Sequence, residues 1–362
     1  MAFGKEEQHH LAEGNVVTRV SIKDIARLAD VSHSTVSRAL GDSPLVSTET
    51  KARIRRLAQE MGYSPDAQAR SLVMGRTQTI GVVVTTITDP FIAEIVQAVE
   101  RTARDHDYSV ILASSNAEPE RELAAVEMLH SKRVDGVIVT SSRVGALYQE
   151  HFERLGVPVV LINSHSQQMG PYTFSVSVDN HHGGCLATEH LLQLGYERIA
   201  YVSGPARHSD DQERLAGYRD ALAAGGIPFD PALVLQGNGR AGGGERAWPQ
   251  LQALKSAPDA AFCYNDLTAI GLMRAARKSG RVIPRDLALV GFDDIPFASY
   301  VQPSLTTVAQ PKGEMGRQAI QMVLGLLASG EAGAPAVSNV IVQGRLIVRE
   351  STAPQSTLEQ RD

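Results

Sequence analysis

From Thr79 onward, short apolar runs alternate with amphipathic helical stretches, and this alternation restricts the fold more than any other feature of the chain. IGVVV (80–84), VILAS (110–114), GVIVT (136–140) and PVVLI (158–162) have the length and unbroken apolar character of strands buried on both faces. Helical segments such as Phe91 to Asp105 and Glu120 to His130 lie between them. The style repeats with IAYVS (199–203), AAFCY (260–264) and LALVGF (287–292), separated by helices at about His181 to Leu194, Gln212 to Ala224 and Asp266 to Lys278. Alternation over this length predicts an α/β fold with doubly wound parallel sheets. Two such halves predict two lobes with a cleft between them.

The first part of the chain follows a different rule. Residues 1–18 read as a polar, disordered arm. Ser21 with Asp24 has the form of a capping box, followed by Ile25, Ala26 and Ala29 on one helical face. A tight turn at Ala29-Asp30-Val31 leads to Ser32, an N-cap for a second helix from about His33 to Leu40 that buries Val36 and Leu40 and stops at Gly41. Ser47 then caps a third helix to about Met61, with Ile54, Leu57 and Ala58 inward and Gly62 at its end. Two helices joined by so short a turn make a helix-turn-helix. The polar face of its second helix shows hydroxyls and Arg38, a combination suited to phosphates and to guanine edges. The expected boundaries are an arm at 1–18, a helix-turn-helix domain at 19–64, a hinge helix and linker at 65–78, a two-lobed domain at 79–350 and a flexible tail at 351–362.

Charge separates the same regions. The whole chain carries a formal charge of -5, yet residues 19–76 hold ten Lys/Arg against six Asp/Glu. A basic head on an acidic body points to a polyanionic partner for the head alone. No apolar run approaches the ~18 residues of a membrane helix. The opening residues lack a basic start followed by an apolar stretch, so no secretory signal is read and a cytoplasmic setting is expected, with no membrane partner. Two cysteines supply neither a disulfide framework nor a four-thiolate zinc site.

SIKDIARLADVSHSTVSRAL, the V-S-T-E-T-K-A-R-I stretch and MGYSPDAQARSL together resemble the N-terminal signature of the lactose-repressor/galactose-repressor family. The resemblance continues through GRTQTIGVVV, the DPF at 89–91, VDN at 178–180, RLAGY at 214–218, YND at 264–266, VGFDD at 290–294 and LTTV at 305–308. It implies a helix-turn-helix head joined to a two-lobed sensor resembling periplasmic binding proteins. The implied function is sequence-specific transcriptional regulation, as a repressor, under allosteric control by a small ligand. His33, Ser34 and Arg38 match base-reading positions; Ser21, Ser32, Thr35, Ser37 and Ser47 match phosphate contacts. Ala69 and Leu72 match the minor-groove hinge, with Leu72 as the wedge between base steps. Phe91, Asn163, Arg214, Asn265, Asp293 and Gln310 match effector-binding positions, and Asp89 joins them because it follows the first strand of lobe one, at the end of the sheet where ligands bind. The implied partners are a pseudopalindromic double-stranded operator, a second copy of the chain, and an effector that is a sugar first and a nucleobase or nucleoside second. Asp66 stands where the family often has Asn, and Asn163 where an acidic residue is common, so neither a hinge–phosphate contact nor ligand stereochemistry carries over.

Other patterns lead to weaker readings. Gly237, Gly239 and Gly242 satisfy G-x-G-x-x-G, but without an acidic ribose partner they read as a flexible loop rather than a dinucleotide site. His181, Cys185 and Glu189 share one helical face and read as packing, not as metal ligands. No cofactor or metal is expected, and no catalytic set converges, so the chain does not read as an enzyme. A periplasmic-type sugar-binding protein without a regulatory role is the alternative; it would need a signal sequence and no basic head.

Overall fold

The computed structural model describes residues 20–63, 75–142, 144, 156–163, 173–206, 208–329 and 339–353. The arm at 1–18, the hinge positions Ala69 and Leu72, and most of the tail lie outside the described residues. The chain divides into two units, Met1–Thr77 and Gln78–Asp362.

The first unit holds α1 (Ile22–Leu28), α2 (His33–Leu40) and α3 (Thr48–Glu60). The Asp24 carboxylate accepts from the Ser21 amide at 3.0 Å and from its hydroxyl at 2.6 Å, which starts α1. Asp30 turns the chain at φ 48, a conformation Asp tolerates better than most residues. Ser32 and Ser47 cap the next two helices by accepting from Thr35 N and Thr50 N. Ile25, Val36, Ala39 and Ile54 are wholly buried at the centre. The expected inward Leu40 is only partly covered and Ala39 takes its place. Gly41 ends α2 at φ -84, so the left-handed residue is Asp42, at φ 56. Asp42 is held there by Lys51 and Arg55 from α3.

The second unit contains two six-stranded sheets. Lobe one is built from β1 (Thr79–Val84), α4 (Pro90–Asp105), β2 (Ser109–Ser114), α5 (Pro119–Ser131), β3 (Gly136–Thr140), β4 (Val159–Ile162) and β5 (Thr173–Val178). Lobe two follows with α6 (Asn180–Gln193), β6 (Ile199–Val202), α7 (Ser209–Ala224), β7 (Val234–Leu235), α8 (Ala241–Gln252), β8 (Ala260–Cys263), α9 (Asp266–Lys278), β9 (Ala288–Asp293), α10 (Pro296–Tyr300) and β10 (Thr306–Ala309). The chain then returns to lobe one with α11 (Lys312–Ser329) and β11 (Asn339–Val342), and ends in lobe two with β12 (Arg345–Ile347). The strand orders are β11-β5-β4-β3-β1-β2 and β12-β10-β9-β8-β6-β7.

The lobes are therefore not simple sequence halves. Met315, Ala319, Ile320 and Val323 of α11 complete the lobe-one core beside Ile95 and Val99 of α4. The pairing is parallel throughout except for β12, which runs antiparallel to β10. Ser351 and Thr352, expected in a flexible tail, are held: Ser351 is buried, donates to Leu289 O and accepts from Thr306 N, and the Thr352 hydroxyl meets that of Thr306.

Glycines set the spacing of the lobe-two helices. A Cβ on Gly184 of α6 would lie 2.3 Å from Arg214 O, and one on Gly217 of α7 would lie 2.1 Å from His181 O. The pair α8 and α9 repeats the device, with Gly244 against Thr268 O and Gly271 against Ala241 O, each at 1.9 Å. Bare backbone on both partners lets these helices approach closely, and this fixes where α7 and α9 deliver their side chains.

Candidate functional site

In the helix-turn-helix unit, Val36 and Ala39 bury one side of α2, which turns His33, Ser34, Ser37 and Arg38 to solvent. Ser34 and Arg38 are one helical turn apart, as are His33 and Ser37, so the four form a continuous polar strip. Ser21, Ser32 and Ser47 stand at the three helix N-termini, where free amides and positive dipole ends favour phosphate oxygens. The Ser32 hydroxyl lies 2.8 Å from both the Ser34 and Thr35 hydroxyls, so these three predicted contact residues form one network.

The second unit opens a cleft of about 650 Å³ beyond the carboxyl ends of its strands, where open α/β sheets bind ligands. All seven residues expected at the effector site line it. Asp89 follows β1 and caps α4 by accepting from Phe91 N at 3.0 Å; burial raises its pKa. Phe91 sits in the first turn of α4, with its ring sealed into the lobe-one core. Asn163 follows β4 at φ 49 and donates to Gln310 Oε1 at 3.2 Å. Gln310 lies between β10 and α11 and donates to Asp293 Oδ1 at 2.7 Å. Asn163, Gln310 and Asp293 thus form a side-chain chain running from lobe one to lobe two.

Arg214 is the largest fully buried side chain. It lies in the second turn of α7 rather than opening the helix. Its Nε donates to Asn180 at 2.9 Å and its Nη1 to Tyr264 O at 2.6 Å; the guanidinium carbon lies 3.6 Å from the Phe292 ring centroid. Nη2 has no protein partner among the described residues, which leaves a donor for a bound molecule. Burial opposes the charge, but Tyr264, Asp293 and Asp210 around it raise the pKa overall. Asp293 ends β9; burial pushes its carboxyl up to about 7, against partial relief from Arg214. Asn265 is more committed than expected. Its oxygen caps α9 by accepting from Thr268, and its nitrogen donates to Gly239 O at 2.9 Å, so it mainly builds the wall.

That last bond corrects the reading of the glycine motif. Gly237 and Gly239 form a held loop between β7 and α8, with Gly239 at φ 73, and the loop lines the cleft. Gly242 already belongs to α8. The face of His181 and Cys185 lies against α7: Cys185 Sγ donates to Gly217 O, and His181 Nε2 meets Asp220 at 2.8 Å.

Sequence reasoning missed His208, Asp210, Tyr264 and Arg240, all of which line the cleft. His208 Nδ1 lies 3.8 Å from Asp210 Oδ2, and both are almost wholly buried. The strand-end rule applied to IAYVS would have found this pair, because both residues open the helix that follows that strand.

A three-helix module of this kind and a two-lobed cleft define a regulator that couples a nucleic-acid head to a small-molecule sensor. The model of the bacterial regulatory proteins of the lacI family matches residues 21–66, and that of the periplasmic binding protein-like domain matches residues 188–352. The HTH-type transcriptional repressor CytR of Escherichia coli (strain K12) is 33% identical over 335 residues, 92% of this chain and 97% of that protein. A lac repressor dimer bound to operator and the anti-inducer ONPF aligns with a TM-score of 0.83 at 27% identity, over 93% of this chain and 100% of that one. A LacI family transcriptional regulator from Enterococcus faecium with bound ribose aligns at 0.68 with 31% identity, over 76% and 99%. The chain belongs to the lacI family of bacterial regulatory proteins. It is a DNA-binding transcriptional regulator, not an enzyme.

Proposed function

We propose that this regulator binds a pseudopalindromic operator as a homodimer and that an unphosphorylated sugar, of which ribose is the first to test, occupies the cleft and sets operator affinity. His33, Ser34 and Arg38 read base edges, while Ser21, Ser32, Thr35, Ser37 and Ser47 hold phosphates. The observation that carries the ligand reading is the convergence of Arg214, Asp293, Asp210 and Asp89 on one cleft beside the Tyr264 ring. Carboxylates accept hydroxyl protons, a buried guanidinium donates to ring or hydroxyl oxygens, and an aromatic face covers the apolar side of a sugar ring. The Enterococcus structure with bound ribose supports the choice of probe.

Two copies are favoured by the large apolar side chains left in solvent on both lobes: Ile87 and Leu112 on lobe one, and Phe297 and Tyr300 on lobe two. Ligand and operator then act on one equilibrium between lobe arrangements, so each changes the affinity of the other by the same factor.

The test is operator binding by fluorescence anisotropy with and without D-ribose, alongside ribose calorimetry. Arg38→Ala is expected to lose preference for operator over random duplex while keeping weak, salt-sensitive binding and full ribose affinity. Arg214→Ala is expected to keep operator binding and lose the ribose response. Intact sequence preference in Arg38→Ala would remove the base-reading assignment. Parental ribose affinity in Arg214→Ala would remove the cleft assignment.

A further inference from the structure

We propose that Lys312 is a positioning residue that latches the two lobes together and holds Asp293 toward the cleft. Lys312 is the first residue of α11, on the lobe-one side of the crossing that leaves β10. Only 6% of it is exposed. Its ammonium donates to Asp293 O at 2.8 Å and to Asp294 O at 2.6 Å, both at the end of a lobe-two strand. It also lies 3.5 Å from Glu94 Oε2 on α4 of lobe one. Two of its three protons are used on the carbonyls, and its charge pairs with Glu94.

The acceptors are unusual in what they need. Asp293 and Asp294 sit at φ 115 and φ 53, where non-glycine residues rarely settle. That backbone persists only where its surroundings over-determine it. Arg349 holds the Asp294 carboxylate at 2.6 Å, and Asp266 accepts from Ile295 N at 2.8 Å. Gln310 bonds the Asp293 carboxylate and Asp294 N donates to Thr307 Oγ1, and Lys312 adds a restraint on the two carbonyls themselves. The other oxygen of Glu94 is buried without a hydrogen-bond partner, so Lys312 is the cation that compensates this carboxylate.

Separating the lobes at this point breaks the two bonds from the ammonium to the strand-end carbonyls. The latch therefore favours approach of the lobes even without a ligand. It also ties the position of Asp293 to α4, whose first turn carries Phe91 and whose cap is Asp89. This reaches beyond the Asn163–Gln310–Asp293 chain, because Lys312 grips backbone and not the ligand-facing carboxylate. The positioning part rests on the cleft being the effector site; the latch itself does not.

The experiment places spin labels at Lys132→Cys on lobe one and Lys255→Cys on lobe two, in a Cys185→Ser background, with labelled chains diluted into unlabelled chains. Interlobe distances are read by double electron–electron resonance without ligand. Lys312→Met, which keeps the stem and removes the donors, is expected to lengthen and broaden the distribution by several ångströms, and Lys312→Arg to restore most of it. A Lys312→Met distribution superimposable on the parent overturns the latch. Should Lys312→Met fail to fold, Lys312→Gln, whose shorter amide cannot reach both carbonyls, carries the same test, and a parental distribution there overturns it equally. Ribose calorimetry forms the second arm: at least a tenfold loss of affinity is expected in Lys312→Met, measured at a temperature where the ligand-free variant is fully folded, and parental affinity overturns the positioning role. If the parent binds no ribose, the sugar reading falls while the distance arm still decides the latch.

Discussion

Asp293 concentrates the chemistry of the cleft in one side chain. It ends a fully buried strand, takes a left-handed backbone, accepts from Gln310 and faces Arg214. Burial raises its pKa to about 7 from the ordinary 3.8, and the carboxyl of Asp266, also driven up by burial, interacts with it. Between these two pH values the folded chain keeps a proton that the unfolded chain has lost. Raising the pH from about 4 to about 7 therefore removes stability, and above about 7 the contribution is flat. Asp293→Asn is expected to flatten this slope, because the amide has no proton to lose. Urea midpoints of parent and variant between pH 5 and pH 8 measure it; identical slopes would show that Asp293 ionises as an ordinary carboxylate.

At the scale of elements, the reciprocal glycines of α6 with α7 and of α8 with α9 give a prediction with an internal control. Alanine at an unencumbered helical glycine stabilises by up to about 1 kcal/mol. Gly325 of α11, with no atom of the described residues within 4 Å of an added Cβ, is expected to show that gain as Gly325→Ala. Gly184→Ala is expected to reverse the sign and cost about 2 kcal/mol, because a carbonyl on α7 cannot yield as a flexible side chain would. Chemical denaturation of both variants checks the pair. The same elements mark what could be read from the sequence. Strands β1, β2, β3, β4, β6, β8 and β9 announce themselves as apolar runs, although β2 lies at the sheet edge and is not buried on both faces as expected, and the helices between them begin within a few residues of expectation. The strands that escaped notice are polar, short or both: TFSVSV at β5, VL at β7, TTVA at β10, NVIV at β11 and RLI at β12. Their pairing is imposed by neighbouring strands, not by their own composition. The same limit applies to the cleft. Residues inside recognisable motifs, such as Arg214 in RLAGY and Asp293 in VGFDD, were found, whereas His208 and Asp210 in PARHSDD belong to the site only because β6 ends there.

At the scale of the whole molecule, the proposed homodimer has a direct test. Phe297 and Tyr300 are 51% and 77% exposed, and neither has a covering segment among the described residues. Replacing both by Glu is expected to halve the mass seen by sedimentation equilibrium at micromolar concentration and to weaken operator binding by at least a hundredfold. An unchanged mass would move the contact to another face. The melting profile of the monomer should stay close to the parent, because neither side chain belongs to a buried cluster.

The three passages between the lobes, from β5 into α6, from β10 into α11 and from β11 into β12, act together as a hinge plate. Two stiff bodies tethered thrice over cannot slide apart or shear freely, and what remains soft is a narrow rocking motion. A metabolite captured in such a jaw does not have to reshape either body; it has only to choose an angle. Evolution could therefore exchange one captured compound for another by altering the lining while leaving the lever arm, and hence the message passed to the genome, intact.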